Sequence, residues 1–201
     1  MIAITVQSTA ALARLERALA ATRNPRGMLL AAGREVGNRL RVHFREKQQR
    51  EPNRLGGKRT NFWLQVMRGV QSPAIRGTHG VTVSINHPAI AQKVYGGRIV
   101  PKRAKALTIP VSREAYGRTA STLEHEKGIL LFVLGKPDGQ KQGVLAELSR
   151  TRGIVVHYVL MKSVNQEADA TALPSLTYLA NGAAERAESV LARELQSPNI
   201  S

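Results

Sequence analysis

The sequence predicts an α+β fold: a small, mainly antiparallel β-sheet packed against long N-terminal and C-terminal helices. Three observations predict it. Apolar residues recur at helical spacing near both ends of the chain, between Leu12 and Phe44 and again between Leu176 and Leu195. Between these ends, residues 129–134, 144–148 and 154–161 are apolar or β-branched runs of strand length. Pro137-Asp138-Gly139 is a turn signature that joins the first two runs as a hairpin.

Each element follows in order. Ser8 caps a first helix over 9–21, with Leu12, Leu15 and Leu19 on one stripe. Asn24 and Pro25 are the cap and first position of a second helix reaching Gln49. Its stripe is Met28, Leu29, Ala32, Val36, Leu40 and Phe44, while Arg34, Arg41, Arg45 and Arg50 decorate the exposed side. Gly33 and Gly37, four apart, permit another element to approach closely. Residues 50–60 are a polar, glycine-containing loop, mobile alone and ordered on assembly, that carries Arg54, Lys58 and Arg59. Thr60 or Asn61 caps a short helix with Trp63, Val66, Met67 and Val70 at helical spacing. Trp63 reads as a core anchor, with base stacking as its other reading.

Val81, Val83 and Ile85 alternate with polar residues, a strand signal ended by His87-Pro88. A helical turn, a reversal and a short strand over 107–109 come next, and the polar stretch 113–127 has room for a short helix. The three central runs then form a meander with one face available to a helix. Residues 165–172 are an acidic loop, Pro174 starts the last helix, and Pro198 ends it. No internal repeat or second domain is apparent, so the chain reads as one domain over 1–201.

Hydrophobic residues at 42% are enough for a core, and with only 4% aromatics that core is largely aliphatic. Cysteine is absent, which removes disulfide and thiol chemistry. No apolar run reaches the roughly 20 residues of a membrane helix. The start, Met1 to Val6, lacks the basic region of a signal peptide. The net charge of +16 is unevenly placed. Residues 1–60 carry 13 Lys/Arg against 4 Asp/Glu, and residues 61–120 carry 9 against 1. Residues 121–201 are balanced, at 8 against 9. A polycationic first part points to a polyanion or an acidic protein surface as partner, nucleic acid being the commonest.

The segment from Asn86 to Val111 organises the rest. Gly96-Gly97 can take positive φ and reverse the chain. Pro101 and Pro110 fix φ and remove donors, which confines what lies between them to a loop or an edge strand. Lys102, Arg103 and Lys105 crowd three cations into four positions, with Arg98 close by. Burial of such a cluster is excluded by the cost of unpaired charge. It is either a solvated loop or a surface facing DNA or an acidic neighbour.

This same run, Tyr95-Gly96-Gly97-Arg98-Ile99-Val100-Pro101-Lys102-Arg103-Ala104-Lys105-Ala106-Leu107-Thr108-Ile109-Pro110, resembles the virion-morphogenesis family of tailed phages, the tail-completion or neck proteins. The shared pattern is an aromatic residue, Gly-Gly, Ile, Pro-Lys, Ala-Lys, Leu and Ile-Pro in that order. Gln92 stands where some members carry His-Gln, but here Ala91 precedes it. Similarity extends to Arg59–Trp63 upstream and Leu130–Val133 downstream, about the middle half of the chain. The resemblance implies a structural virion protein, made in the bacterial host cytoplasm and located in the neck or tail. It implies a homo-oligomer, a hexameric ring between connector or adaptor proteins and the tail tube protein, through which genomic DNA passes with transient, non-specific contact. Gly96, Gly97, Pro101 and Pro110 would then set shape. Arg54, Lys58, Arg59, Arg98, Lys102, Arg103 and Lys105 would be candidates for the channel or for a partner contact.

Enzyme chemistry is not expected. His43, His79, His87, His125 and His157 form no ligand pair, and no nucleophile elbow, P-loop or dinucleotide fingerprint is present. Glu124-His125-Glu126 is the nearest approach to a metal cluster, but adjacent residues seldom converge on one ion. His157 reads as a hydrogen-bonded sheet residue. No catalytic residue, metal or cofactor is assigned. The rival reading is a sequence-independent nucleic-acid-binding protein working through the basic residues 1–120, although no recognition module or aromatic platform supports it.

Overall fold

A computed structural model describes residues 23–51, 55–56 and 60–196. The expected helix over 9–21 and the stop at Pro198 lie outside these residues. The fold is α+β. In chain order the described elements are α1 (Arg26–Arg50), α2 (Phe62–Arg68), β1 (Ala74–Arg76), β2 (Gly80–Thr82), α3 (Ile90–Tyr95), β3 (Gly97–Ile99) and β4 (Leu107–Pro110). There follow α4 (Ala120–Lys127), β5 (Phe132–Leu134), β6 (Lys141–Ser149), β7 (Gly153–Met161), β8 (Val164–Gln166) and α5 (Leu176–Gln196). Among the described residues, no helix is long and apolar enough to cross a membrane.

The chain groups into two compact units, each discontinuous in sequence. The first takes the described residues up to Arg45, with Gln65–His87 and the chain from Leu173; the second takes Glu46–Leu64 and Pro88–Ala172.

In the first unit α1 begins at Arg26, one residue after the Asn24-Pro25 signal places it, with the Leu29 N–H donating to the Pro25 carbonyl at 2.9 Å. Its stripe buries Ala32, Leu40 and Phe44, and Val66 and Val70 of the α2 region are buried as well. The two glycines of α1 do different things. A Cβ on Gly33 would stand 2.6 Å from Pro73 Cβ and 2.7 Å from Val81 Cγ2, so the β1–β2 hairpin lies against bare helix backbone there. At Gly37 the nearest atom would be the end of the Arg41 side chain, at 3.3 Å. Helix α5 starts at Leu176 rather than Pro174, because Ser175 Oγ accepts from the Tyr178 N–H at 3.2 Å and so supplies the cap. Arg39 joins α1 to α5, donating to the Tyr178 carbonyl at 2.7 Å and to Glu185 Oε2 at 3.0 Å. Its guanidinium lies 4.5 Å from the centre of the Tyr178 ring and faces buried Gly182, where a side chain would collide with it.

The second unit holds the expected meander. Strands β5, β6 and β7 pair antiparallel in succession, and β4 adds to the far side of β7, giving the order β4-β7-β6-β5. Pro110 thus ends an outer strand, where its missing N–H interrupts no inner ladder. One sheet face meets α4 through Tyr158, Leu123 and Ala115, all buried, with Ala120, Ile129, Leu131 and Leu145 packed around them.

Three short strands were not expected. The predicted strand through Val83 and Ile85 stops at Thr82, while β1 and β3 lie where no strand is expected and the predicted acidic loop opens as β8, paired with β3. Each covers three residues, too few to show a period. The alternation past Thr82 persists in burial, but its ladder shrinks to one bridge between Ile85 and Val70.

The glycine geometry makes a prediction. Replacing Gly33 by Ala should destabilise the protein by about 1–3 kcal/mol through overpacking. Gly37→Ala brings its Cβ no nearer than 3.3 Å to any atom and should cost less than half as much. Urea unfolding of both variants checks this, and equal losses would contradict the close approach of the hairpin at Gly33.

Candidate functional site

The segment singled out by sequence is built on a specific turn. Helix α3 ends at Tyr95, and Gly96 follows at φ 68° and Gly97 at φ 111°. A Cβ on Gly96 would lie 2.6 Å from the Gln166 carbonyl oxygen and 2.7 Å from the Ala168 nitrogen, so both conformation and space demand glycine. Gln92 secures the reversal: its side-chain Nε2 donates to the Gly96 carbonyl at 2.8 Å and to the Gly97 carbonyl at 2.9 Å. The chain leaves the turn as β3, whose Arg98 is the register partner of Asn165 on β8.

Behind this turn stands a nearly buried lysine. Lys47, 9% exposed, is the most C-terminal buried residue of α1. Its Nζ donates to Asp169 Oδ2 at 3.0 Å, to the Thr171 carbonyl at 3.1 Å and to Thr171 Oγ1 at 2.8 Å. Glu51 Oε1 lies 3.0 Å away, and the ammonium sits 4.6 Å from the centre of the Trp63 ring. Trp63 is buried, as its core reading predicts, and donates Nε1–H to Glu51 Oε2 at 2.7 Å. Asp169 in turn receives the Thr171 N–H at 2.9 Å and the Thr171 hydroxyl at 2.7 Å on Oδ1, and lies 3.9 Å from Lys93 Nζ. The Asp169 N–H donates to the Lys93 carbonyl at 3.0 Å, which ties the network to α3. Burial pushes the Asp169 carboxyl up, but the Thr171 and Lys47 hydrogen bonds and the Lys47 charge outweigh it and hold the group below its ordinary value of 3.8.

Beyond Lys93, four described cations of the segment lie on the surface. Arg98, Lys102, Arg103 and Lys105 are exposed, and none forms an ion pair with a described residue. Arg98 lies on β3, and Lys102, Arg103 and Lys105 lie on the loop into β4. Pro101, half-buried, lies near the start of that loop. The other three candidates, Arg54, Lys58 and Arg59, lie outside the described residues.

The histidine and carboxylate candidates are used locally. His157, 3% exposed, sits at a bulge where β7 slips against β6 between Leu145 and Ala146. Its Nδ1 is 2.7 Å from Ser112 Oγ, the hydrogen-bonded sheet role its strand setting predicts. Nε2 is buried without a hydrogen bond, 3.6 Å from Glu147 Oε1. Glu124 Oε1 accepts the Leu131 N–H at 2.9 Å, and Glu126 Oε2 pairs with Arg118 at 2.6 Å, so these two carboxylates serve separate partners. Among the described residues no group of three or more His, Asp or Glu is placed to hold a metal ion.

Sequence reasoning passed over Lys47, Gln92 as a brace, and Asp169. One signal was available: Lys47 continues the stripe of Leu40 and Phe44 at helical spacing, and a lysine on a core stripe requires a carboxylate. Comparison of the chain with family models, with curated proteins and with solved structures gives no match in any of the three.

The Lys47–Asp169 pair sets a pH dependence. Because folding lowers the Asp169 carboxyl, its contribution is complete above 3.8 and is lost as the pH falls through the lower folded value. Asp169→Asn leaves a largely buried ammonium short of a counter-charge and should cost about 2–4 kcal/mol near neutral pH. The gap between the two proteins should narrow on acidification from about pH 6 to about pH 2. A constant gap across that range would remove Asp169 as the linked group.

Proposed function

We propose that this protein is a structural subunit of a tailed-phage neck, of the tail-completion kind, which assembles as a ring between connector and tail tube. The observation that carries the reading is the basic loop between β3 and β4. Four exposed cations without described acidic partners stand on a frame fixed by Gly96, Gln92 and the Lys47–Asp169 network. Cations held in this way, rather than on a loose tail, suit contact with a polyanion that moves past without being read. The sequence pattern from Tyr95 to Pro110 supports the same assignment. Exposed apolar side chains offer material for subunit contacts: Leu148 and Ile154 face each other across β6 and β7, 74% and 54% exposed. Assembly would proceed by surface complementarity, with no chemical step.

The same cations also favour a second reading, a free nucleic-acid-binding protein that does not assemble. Ring formation with weak affinity for DNA speaks for the neck subunit. Moderate-salt affinity in the monomer speaks for the rival.

Electron microscopy of particles made by the parent phage or prophage with this gene disrupted tests the proposal directly. Full heads separate from tails, or tails of abnormal length, are the expected result. Normal infectious particles would overturn it.

A further inference from the structure

The first unit carries a second cationic feature, independent of the β3–β4 loop. Arg34, Asn38 and Arg41 lie four and three residues apart on α1 and so share one face. Together with Gln71 and Ser72, from the stretch between α2 and β1, they line a groove of about 320 Å³. Its described lining contains no carboxylate, and its remaining walls are Leu30, Gly37 and Pro73.

Hydrogen bonding fixes what the groove presents. Arg41 Nη2 donates to the Val70 carbonyl at 3.0 Å and Nη1 reaches Asn38 Oδ1 at 3.4 Å. Arginine can only donate, so Asn38 must turn its oxygen to Arg41, and its amide hydrogens stay free for another acceptor. The Gln71 Nε2 donates one hydrogen to the Gly69 carbonyl at 2.9 Å and keeps a second. Arg34 is exposed and forms no ion pair with a described residue. Gly37 leaves the Arg41 guanidinium room to lie back on the helix, since a Cβ there would stand 3.3 Å from Nη1. Arg41 is therefore a pinned donor and Arg34 a free one, with donors from Asn38, Gln71 and Ser72 around them.

We infer that this groove is a binding site for a chain of phosphate groups. Arg34 and Arg41 are separated by about 10 Å of helix rise, more than one carboxylate spans and well suited to an anion with several charged centres. A tetrahedral phosphate accepts from several directions, which matches donors arriving from two chain segments, whereas a carboxylate is best met by one planar fork. The phosphates belong either to a nucleic-acid backbone or to a free phosphorylated small molecule, and the chemistry is common to both. The site needs neither a ring nor the β3–β4 loop, so it stands if the neck reading falls.

The full chain, isotopically labelled, would be titrated with inorganic triphosphate and, separately, with a mixed-sequence DNA duplex of about 20 base pairs, following the arginine Nε–H signals by NMR. Both Arg34 and Arg41 signals should shift with at least one probe. Arg34→Gln changes an exposed side chain and should weaken the responding probe about five- to tenfold, and if that probe is DNA, lower its salt slope by about 1. Lys102→Gln with Arg103→Gln should leave the Arg34 and Arg41 shifts in place. Shifts with DNA that triphosphate competes away assign the phosphates to a nucleic acid. Shifts with triphosphate alone assign them to a free ligand. Unmoved Arg34 and Arg41 signals with both probes, or an Arg34→Gln variant that binds both as well as the parent does, would overturn the inference.

Discussion

The second unit depends on how the Lys47 ammonium is satisfied. An unpaired charge with so little exposure would cost several kcal/mol, and here the cost is met by saturation. Three donors find Asp169, both oxygens of Thr171 and Glu51 within 3.1 Å. Thr171 accepts from Lys47 and donates to Asp169, so the hydroxyl relays between the ionic partners. Every acceptor except Glu51 comes from residues after β8, and the Asp169 backbone holds the Lys93 carbonyl of α3. One buried cation therefore fixes the last turn of α1, the chain following β8 and the helix leading into the glycine turn. The glycine turn, and through it the β3–β8 pairing, is thereby tied to the end of α1.

This explains what could be read from the sequence and what could not. Helices α1 and α5 and the β5–β7 meander were legible because each is long enough to repeat its period, and because Asn24-Pro25 and Pro137-Asp138-Gly139 mark real boundaries. The close-approach role of Gly33 was legible too, since two glycines four apart in a helix need a packing reason. β1, β3 and β8 were not, because three residues carry no period and their pairing is set by tertiary neighbours. Within the candidate site, the positive-φ requirement at Gly96 was evident, whereas the reason for it, the passage of Gln166 and Ala168, depends on chain about 70 residues away in sequence.

The total charge of +16 overstates the cationic surface available to a partner. Lys47, Arg39, Arg41 and Arg118 all have structural acceptors: a carboxylate network, a helix clasp, the Val70 carbonyl and the Glu126 pair. Arg34, Arg98, Lys102, Arg103 and Lys105 have no described acidic partner. Counting cations by sequence position merges these two classes, because a helix stripe and an exposed face differ by only one residue in register. Arg41 shows the difference most clearly: its helical position predicts an exposed side chain, and it is instead pinned to a backbone carbonyl.

Pinning does not remove a cation from function. A guanidinium has five N–H groups, and holding part of the fork still leaves hydrogens to donate in a fixed direction. A pre-oriented donor loses less side-chain entropy on meeting an anion than a free lysine does, so Arg41 is a better anchor for being structurally engaged. The β3–β4 loop uses the opposite arrangement: Lys102, Arg103 and Lys105 are exposed, with no described acidic partner to orient them. Fixed donors favour retention of a phosphate chain, and mobile cations favour tolerance of one that slides. The chain carries one arrangement in each unit, and on a polyanion the salt dependence would follow the number of phosphates contacted rather than the total charge.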